Sequence, residues 1–156
     1  MKKILPIALI AIISLIALTV CCADALDPLG LSNKALGGEA FNAYTPGVAD
    51  GIGLNNIGLL VRTSGRVAYI DTTNKFFYID DGSGMNDQSG IPSATGIRVS
   101  YKDLASGNTF NPPSFINRYV LITGISSTTE ITVGTETRII PTLRPRMQSD
   151  MQDVTP

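Results

Sequence analysis

Residues 59–84 read LLVRTSGRVAYIDTTNKFFYIDDGSG, the pattern of two strands joined by a polar turn. Two segments of alternating apolar and polar residues flank Asp71-Thr72-Thr73-Asn74-Lys75, and the second runs out into Asp80-Asp81-Gly82-Ser83-Gly84. Successive side chains of a strand point to opposite faces. Val61, Thr63, Gly65 and Val67 therefore share one face, and Arg62, Ser64 and Arg66 share the other. The pattern predicts a half-buried strand over 59–70, with Gly65 as the place where a strand lacking a Cβ can bend. Asp, Thr and Asn make 71–75 a turn by composition. A second strand follows over 76–80, with Phe77 and Ile79 facing inward and Phe76 and Tyr78 outward.

Three more short alternating runs follow downstream. Strands are expected at 97–101 (Ile97, Val99 and Tyr101 inward, Arg98 and Ser100 outward), at 119–125 (Val120 and Ile122 inward, Gly124 at the exit) and at 138–143. Pro141 inside the last reads as an edge or a bulge, because proline cannot donate to a ladder. Residues 81–96 form a Gly/Ser/Asn loop, and 126–137 a polar turn region. In the connection 103–117, Gly107 and Pro112-Pro113 leave a helix short or absent. Upstream, residues 26–58 hold seven glycines and read as an irregular lead-in pinned to the core by Phe41, Tyr44 and Leu54, with a short helix expected over 32–43. From Pro145 the chain reads as a polar tail, with 147–156 outside the domain, and there is no internal repeat.

At the N-terminus, Lys2 and Lys3 precede the apolar run Ile4–Val20, followed by Ala23-Asp24-Ala25. These are the parts of a secretory signal peptide over residues 1–25, cleaved after Ala25. The expected location is therefore periplasmic or extracellular, in a bacterium. Retention as a membrane anchor and lipidation at Cys21 are the alternatives. Against the first, the run is slightly short of the about 20 apolar residues of a span. Against the second, the bulky Val20 sits where a lipobox carries a small residue. Cleavage would remove Cys21 and Cys22, leaving a mature domain that depends on its core rather than on disulfides. The chain carries 12 basic and 13 acidic residues; without Lys2, Lys3 and Asp24 the count is 10 against 12, a net of −2. That balance argues against a polyanion binder, which shows a basic excess or stripe.

The succession of Gly65-Arg66-Val67, Phe77-Tyr78-Ile79-Asp80-Asp81-Gly82-Ser83-Gly84, Ile97-Arg98-Val99 and Tyr119-Val120-Leu121-Ile122-Thr123-Gly124 resembles OB-fold domains of the nucleic-acid-binding superfamily. Small exported bacterial OB-fold proteins look similar. The likeness covers residues 59–146. It implies an all-β, five-stranded Greek-key barrel behind the lead-in, and the long loop 81–96 is a departure from the pattern. The fold leaves function open, since OB barrels bind single-stranded nucleic acid, oligosaccharides and proteins.

The chemistry-bearing residues are few. The chain has no histidine, which removes His-based triads and His metal ligands, and no glycine-rich loop matches a phosphate-binding fingerprint. Asp80, Asp81, Asn86 and Asp87 could offer oxygen ligands to Ca²⁺, but their spacing is not that of an EF-hand, and a solvated turn is the simpler reading. Asp71 and Asp80 sit at turns, and Ser64 and Ser100 have no base in the pattern. The expectation is a non-enzyme without metal or cofactor. The outward residues Arg62, Arg66, Tyr78 and Arg98 fall on the face that OB proteins commonly use for ligands. There arginine can pair with anions and tyrosine can stack. An ordinary solvated β-face is the competing reading. Two functions follow: a binding module for single-stranded nucleic acid, oligosaccharide or protein, or an interaction protein of the cell envelope that docks a partner. Membrane contact is expected only through an uncleaved signal segment.

Overall fold

The computed structural model describes residues 27–92, 94–105 and 110–156. The expected signal segment and both cysteines lie outside the described residues. Among the described residues seven strands form one sheet: β1 (Leu29–Gly30), β2 (Leu60–Asp71), β3 (Phe76–Asp80), β4 (Ile97–Ser100), β5 (Tyr119–Val133), β6 (Glu136–Arg144) and β7 (Met151–Asp153). Helical structure among the described residues is limited to three single 3-10 turns, Asn33–Ala35, Pro112–Phe115 and Gln148–Asp150. The helix expected over 32–43 is thus reduced to one turn before Gly37 and Gly38, both at positive φ.

The pairings explain the layout. β2 runs antiparallel to β3, β3 to β4, and β6 to β5, while β4 and β6 are parallel. β5 in turn pairs antiparallel with β2, so this succession of pairings returns to its first strand. The two long strands change partner midway. β2 lies against β5 over 60–66 and against β3 from Arg66 onward. β5 lies against β2 over 119–125 and against β6 from Ile125 onward. Glycines stand at both changeovers because a third backbone comes close. A Cβ on Gly65 would sit 2.7 Å from the Asp80 carbonyl carbon, and one on Gly124 would sit 2.7 Å from that of Arg144. The tight approach, rather than a bend alone, is what Gly65 supplies.

The inward residues form the core. Val67, Phe77, Ile79, Val99, Val120 and Ile122 are all buried, as their alternation predicts, joined by Val61, Ile97, Leu143, Leu36 and Met151. Two expectations at the margins are corrected. Residues 126–137 are not a turn region but most of a long β5–β6 hairpin, closed by the Val133–Glu136 pair around Gly134 and Thr135. Gly134 takes φ 64°, as a two-residue hairpin turn that begins with glycine requires. The tail carries β7, whose Met151 is buried. Pro141 lies within β6, buried and opposite Thr128, and β4 pairs with β6 only from Thr142 onward.

The lead-in is held by amides, not by its aromatics. Phe41, Tyr44 and Leu54 are exposed at 77%, 95% and 88%. Buried Asn33 instead donates from Nδ2 to the Ile79 carbonyl at 2.6 Å and accepts from Thr63 Oγ1 at 2.9 Å. Asn56 donates to the Ala35 carbonyl at 2.6 Å and accepts from the Gly37 amide and from Ser126 Oγ. Small, hydrogen-bonded amides bridge a polar segment to a sheet at close range.

Candidate ligand groove

One irregularity in β2 builds the outer face. The register with β3 steps from Val67–Ile79 to Tyr69–Tyr78, leaving Ala68 as an extra residue. This bulge turns Tyr69 from the core side to the outer side, a common effect of such an insertion. Tyr69, Phe76 and Tyr78 then form a ring cluster with centroids 5.9–6.2 Å apart. Opposite Tyr78 on β4 stands Arg98, its guanidinium carbon 4.1 Å from the centre of the Phe76 ring.

The loop after β3 folds back over this cluster. Ala94 and Ile91 pack on the rings, and Asp87, only 6% exposed, accepts a 2.5 Å hydrogen bond from the Tyr78 hydroxyl. That hydroxyl in turn accepts from Arg98 Nε at 3.1 Å and lies 3.3 Å from Ser89 Oγ. Burial first, and then the bond to Asp87, pushes the Tyr78 phenol up to about 12. The loop is also tied outward: Gln88 Nε2 donates to Asp50 and Arg138 Nη1 donates to Gln88 Oε1.

Beside the loop an open groove of about 830 Å³ runs across the outer face. Phe76, Arg98 and Ser100 form its floor, and Tyr69, Asp71 and Asn74 the side toward the β2–β3 turn. Thr129, Ile131 and Thr132 of the β5–β6 hairpin form the opposite wall, with Ser89 and Ile91 at one margin and Lys102, Asp103 and Arg144 at another. The Asn74 backbone amide and side-chain amide both donate to the Asp71 carboxylate, which holds its pKa below the ordinary value. Arg144 is committed to Asp103 at 2.9 Å and to Ser127 Oγ at 3.1 Å, bracing the wall.

The four outward residues singled out by alternation divide in two. Arg98 and Tyr78 meet beneath the groove, but Tyr78 is fully buried and presents no ring to a ligand. The expectation of a stacking tyrosine is corrected, because the Asp87 loop occupies its face. Arg62 and Arg66 are exposed elsewhere: Arg62 Nε donates to Thr123 Oγ1, and Arg66 lines a separate depression with Ser64, Asp80 and Tyr119. Reading the sequence missed Asn74, Lys102, Thr129 and Ile131. The last two carried a signal, since Thr129-Glu130-Ile131-Thr132-Val133 is rich in β-branched residues that favour strands. Among the described residues no group of three or more Cys, Asp or Glu is placed to hold a metal ion. Asp80 and Asp81 instead accept the backbone amides of Gly82 and Ser83. Comparison with protein-family models, curated proteins and solved structures finds no match, so a functional reading rests on this geometry.

Proposed function

We propose that the chain is an exported, non-catalytic OB-fold binding module whose ligand surface is the groove over β3 and β4. In this reading β2 to β6 are the five strands of an OB-like Greek-key barrel, and the residues before Leu26 are its secretion signal. The antiparallel β2–β5 and parallel β4–β6 pairings support the barrel. The observation that carries the function is the placement of the groove. It lies on the outer face of the second and third of the five strands, between the β2–β3 turn and the β5–β6 hairpin, where OB folds take ligands. Its single-stranded nucleic acid, glycan or protein ligand is tested by titrating the mature protein with oligonucleotides and oligosaccharides while following amide resonances. Shifts confined to Asn74, Ser100, Lys102 and Thr129, and lost on Thr132→Trp, are expected. Shifts confined to Arg62, Arg66 and Tyr119 would place binding elsewhere.

A second reading, an envelope protein that docks a partner, is favoured by one feature. The exposed Phe41, Tyr44 and Leu54 of the lead-in stand near a small cleft shared by Tyr44, Pro46, Thr128 and Ile139. Capture of a partner that is insensitive to Thr132→Trp but abolished by Tyr44→Ser would favour it.

A further inference from the structure

We infer that the groove takes an acidic oligosaccharide and that Arg98 grips a sugar carboxylate; this rests on the groove being the ligand surface of a binding module. Arg98 is only 7% exposed, yet none of the four ion pairs among the described residues includes it. Its Nε is fixed by the Tyr78 hydroxyl at 3.1 Å and its plane is carried on Phe76. Its two Nη nitrogens donate to no described residue. Arg98 lines the groove, which is the open space next to them. The result is a largely dehydrated, pre-oriented guanidinium fork at the bottom of a cavity. A buried cation without a carboxylate in contact is costly, and the fork matches a carboxylate through two parallel hydrogen bonds.

The surroundings select among acidic ligands. Arg144 is engaged by Asp103 and Asp71 adds a negative charge, so Lys102 is the second cation open to a ligand. One fork and one lysine suit isolated charges better than a continuous phosphate backbone. Base stacking lacks a platform as well, because Arg98 covers Phe76 and the loop seals Tyr78. What remains on the walls, Asn74, Ser100, Thr129 and Thr132, is hydroxyl and amide chemistry suited to sugar hydroxyls. The volume, about 830 Å³, lies toward the upper end of the ~300–1,000 Å³ of small-ligand sites, room for a short oligosaccharide.

The test titrates the mature protein calorimetrically with oligogalacturonates, oligomannuronates and glucuronate-containing oligosaccharides. Their methyl esters, neutral cello-oligosaccharides and oligo-dT are run alongside. At least one acidic oligosaccharide should bind below millimolar Kd, and esterification should weaken it roughly tenfold or more, as loss of a charged hydrogen bond does. Arg98→Lys should weaken it similarly. Because Arg98 is buried, the exposed Lys102→Glu serves as a second variant that leaves the fold intact and should also weaken the acid more than the ester. Equal binding of acid and ester overturns the inference. So does binding of neutral glycan or oligo-dT alone with shifts at Ser100 and Thr129, and in that case the module reading survives. Binding of nothing in the panel overturns the inference and leaves of the module reading only its protein-ligand form.

Discussion

Tyr78 shows how one side chain settles what a surface can do. Its ring is fully buried and its hydroxyl joins Asp87 to Arg98, so a carboxylate and a guanidinium share one phenol rather than meeting directly. The folded phenol titrates near 12 against 10.0 for a free one, with burial as the leading cause. A group whose folded pKa is raised holds its proton while the unfolded chain loses it. Its contribution to stability is complete below pH 10, falls as pH rises and is gone above about 12. In an alkaline titration followed by tyrosinate absorbance, one tyrosine should therefore ionise only near pH 12, with denaturant stability falling between pH 10 and 12. Tyr78→Phe should remove that late step. It should also cost about 1–3 kcal/mol, because Asp87 is left buried without its donor. A variant as stable as the parent would show that the Asp87 loop does not depend on this bond. Asn33 offers a parallel case in the lead-in. Asn33→Ala strands the Ile79 carbonyl and the Thr63 hydroxyl, and a loss of about 2 kcal/mol or more is expected in denaturant unfolding.

At the level of single elements, the partner changes of β2 and β5 govern the layout, and each is permitted by a glycine. Gly65→Ala and Gly124→Ala place a methyl carbon against the backbone of Asp80 and of Arg144, neither of which can yield like a flexible side chain. Each should cost about 1–3 kcal/mol or more by overpacking. Gly134→Ala makes a useful contrast, since no atom lies within 4 Å and only its positive φ is strained. Equal tolerance of all three would mean that the close approach is not a constraint. The same elements mark how far the sequence could be read. β3 falls on 76–80 as its alternation predicts, and β2 and β4 are within a residue of expectation, because a half-buried strand writes its period into the chain. The Ala68 bulge left no such mark: valine, alanine and tyrosine alternate as well with the extra residue as without it. Nor did the Asp87 loop, whose return over Tyr78 is set by a side-chain bond rather than by any period. Arg98 was identifiable as an outward cation. That its partner is a tyrosine in the interior was not, since local alternation carries no information about what folds over a face.

For the molecule as a whole, each partner change leaves an edge uncovered, and the two ends of the described chain cover them. While β2 lies against β5, its other side is open until β3 arrives at Arg66, and there β1 pairs with Val61 and Arg62. While β5 lies against β2, its other side is open until β6 arrives at Ile125, and there β7 pairs with residues 120–122. Unpaired strand edges invite association with other chains, so these short strands protect the sheet as well as extend it. That explains why a segment polar enough to read as a tail is ordered. Met151 and the backbone of its neighbours have a vacancy in the ladder to fill, and hydropathy does not report ladder vacancies. Ending the chain at Arg146 should therefore have two separable effects. Loss of the buried Met151 side chain and of the β7 ladder should lower stability by about 2 kcal/mol or more, and Met151→Ala alone should reproduce much of that loss. The exposed edge of β5 should in addition make the shortened chain self-associate as its concentration rises, whereas Met151→Ala, which keeps the ladder, should stay monomeric. Gel filtration across a concentration series distinguishes the two. If the shortened chain is destabilised yet remains monomeric at every concentration, β7 acts by packing alone and the edge needs no cover.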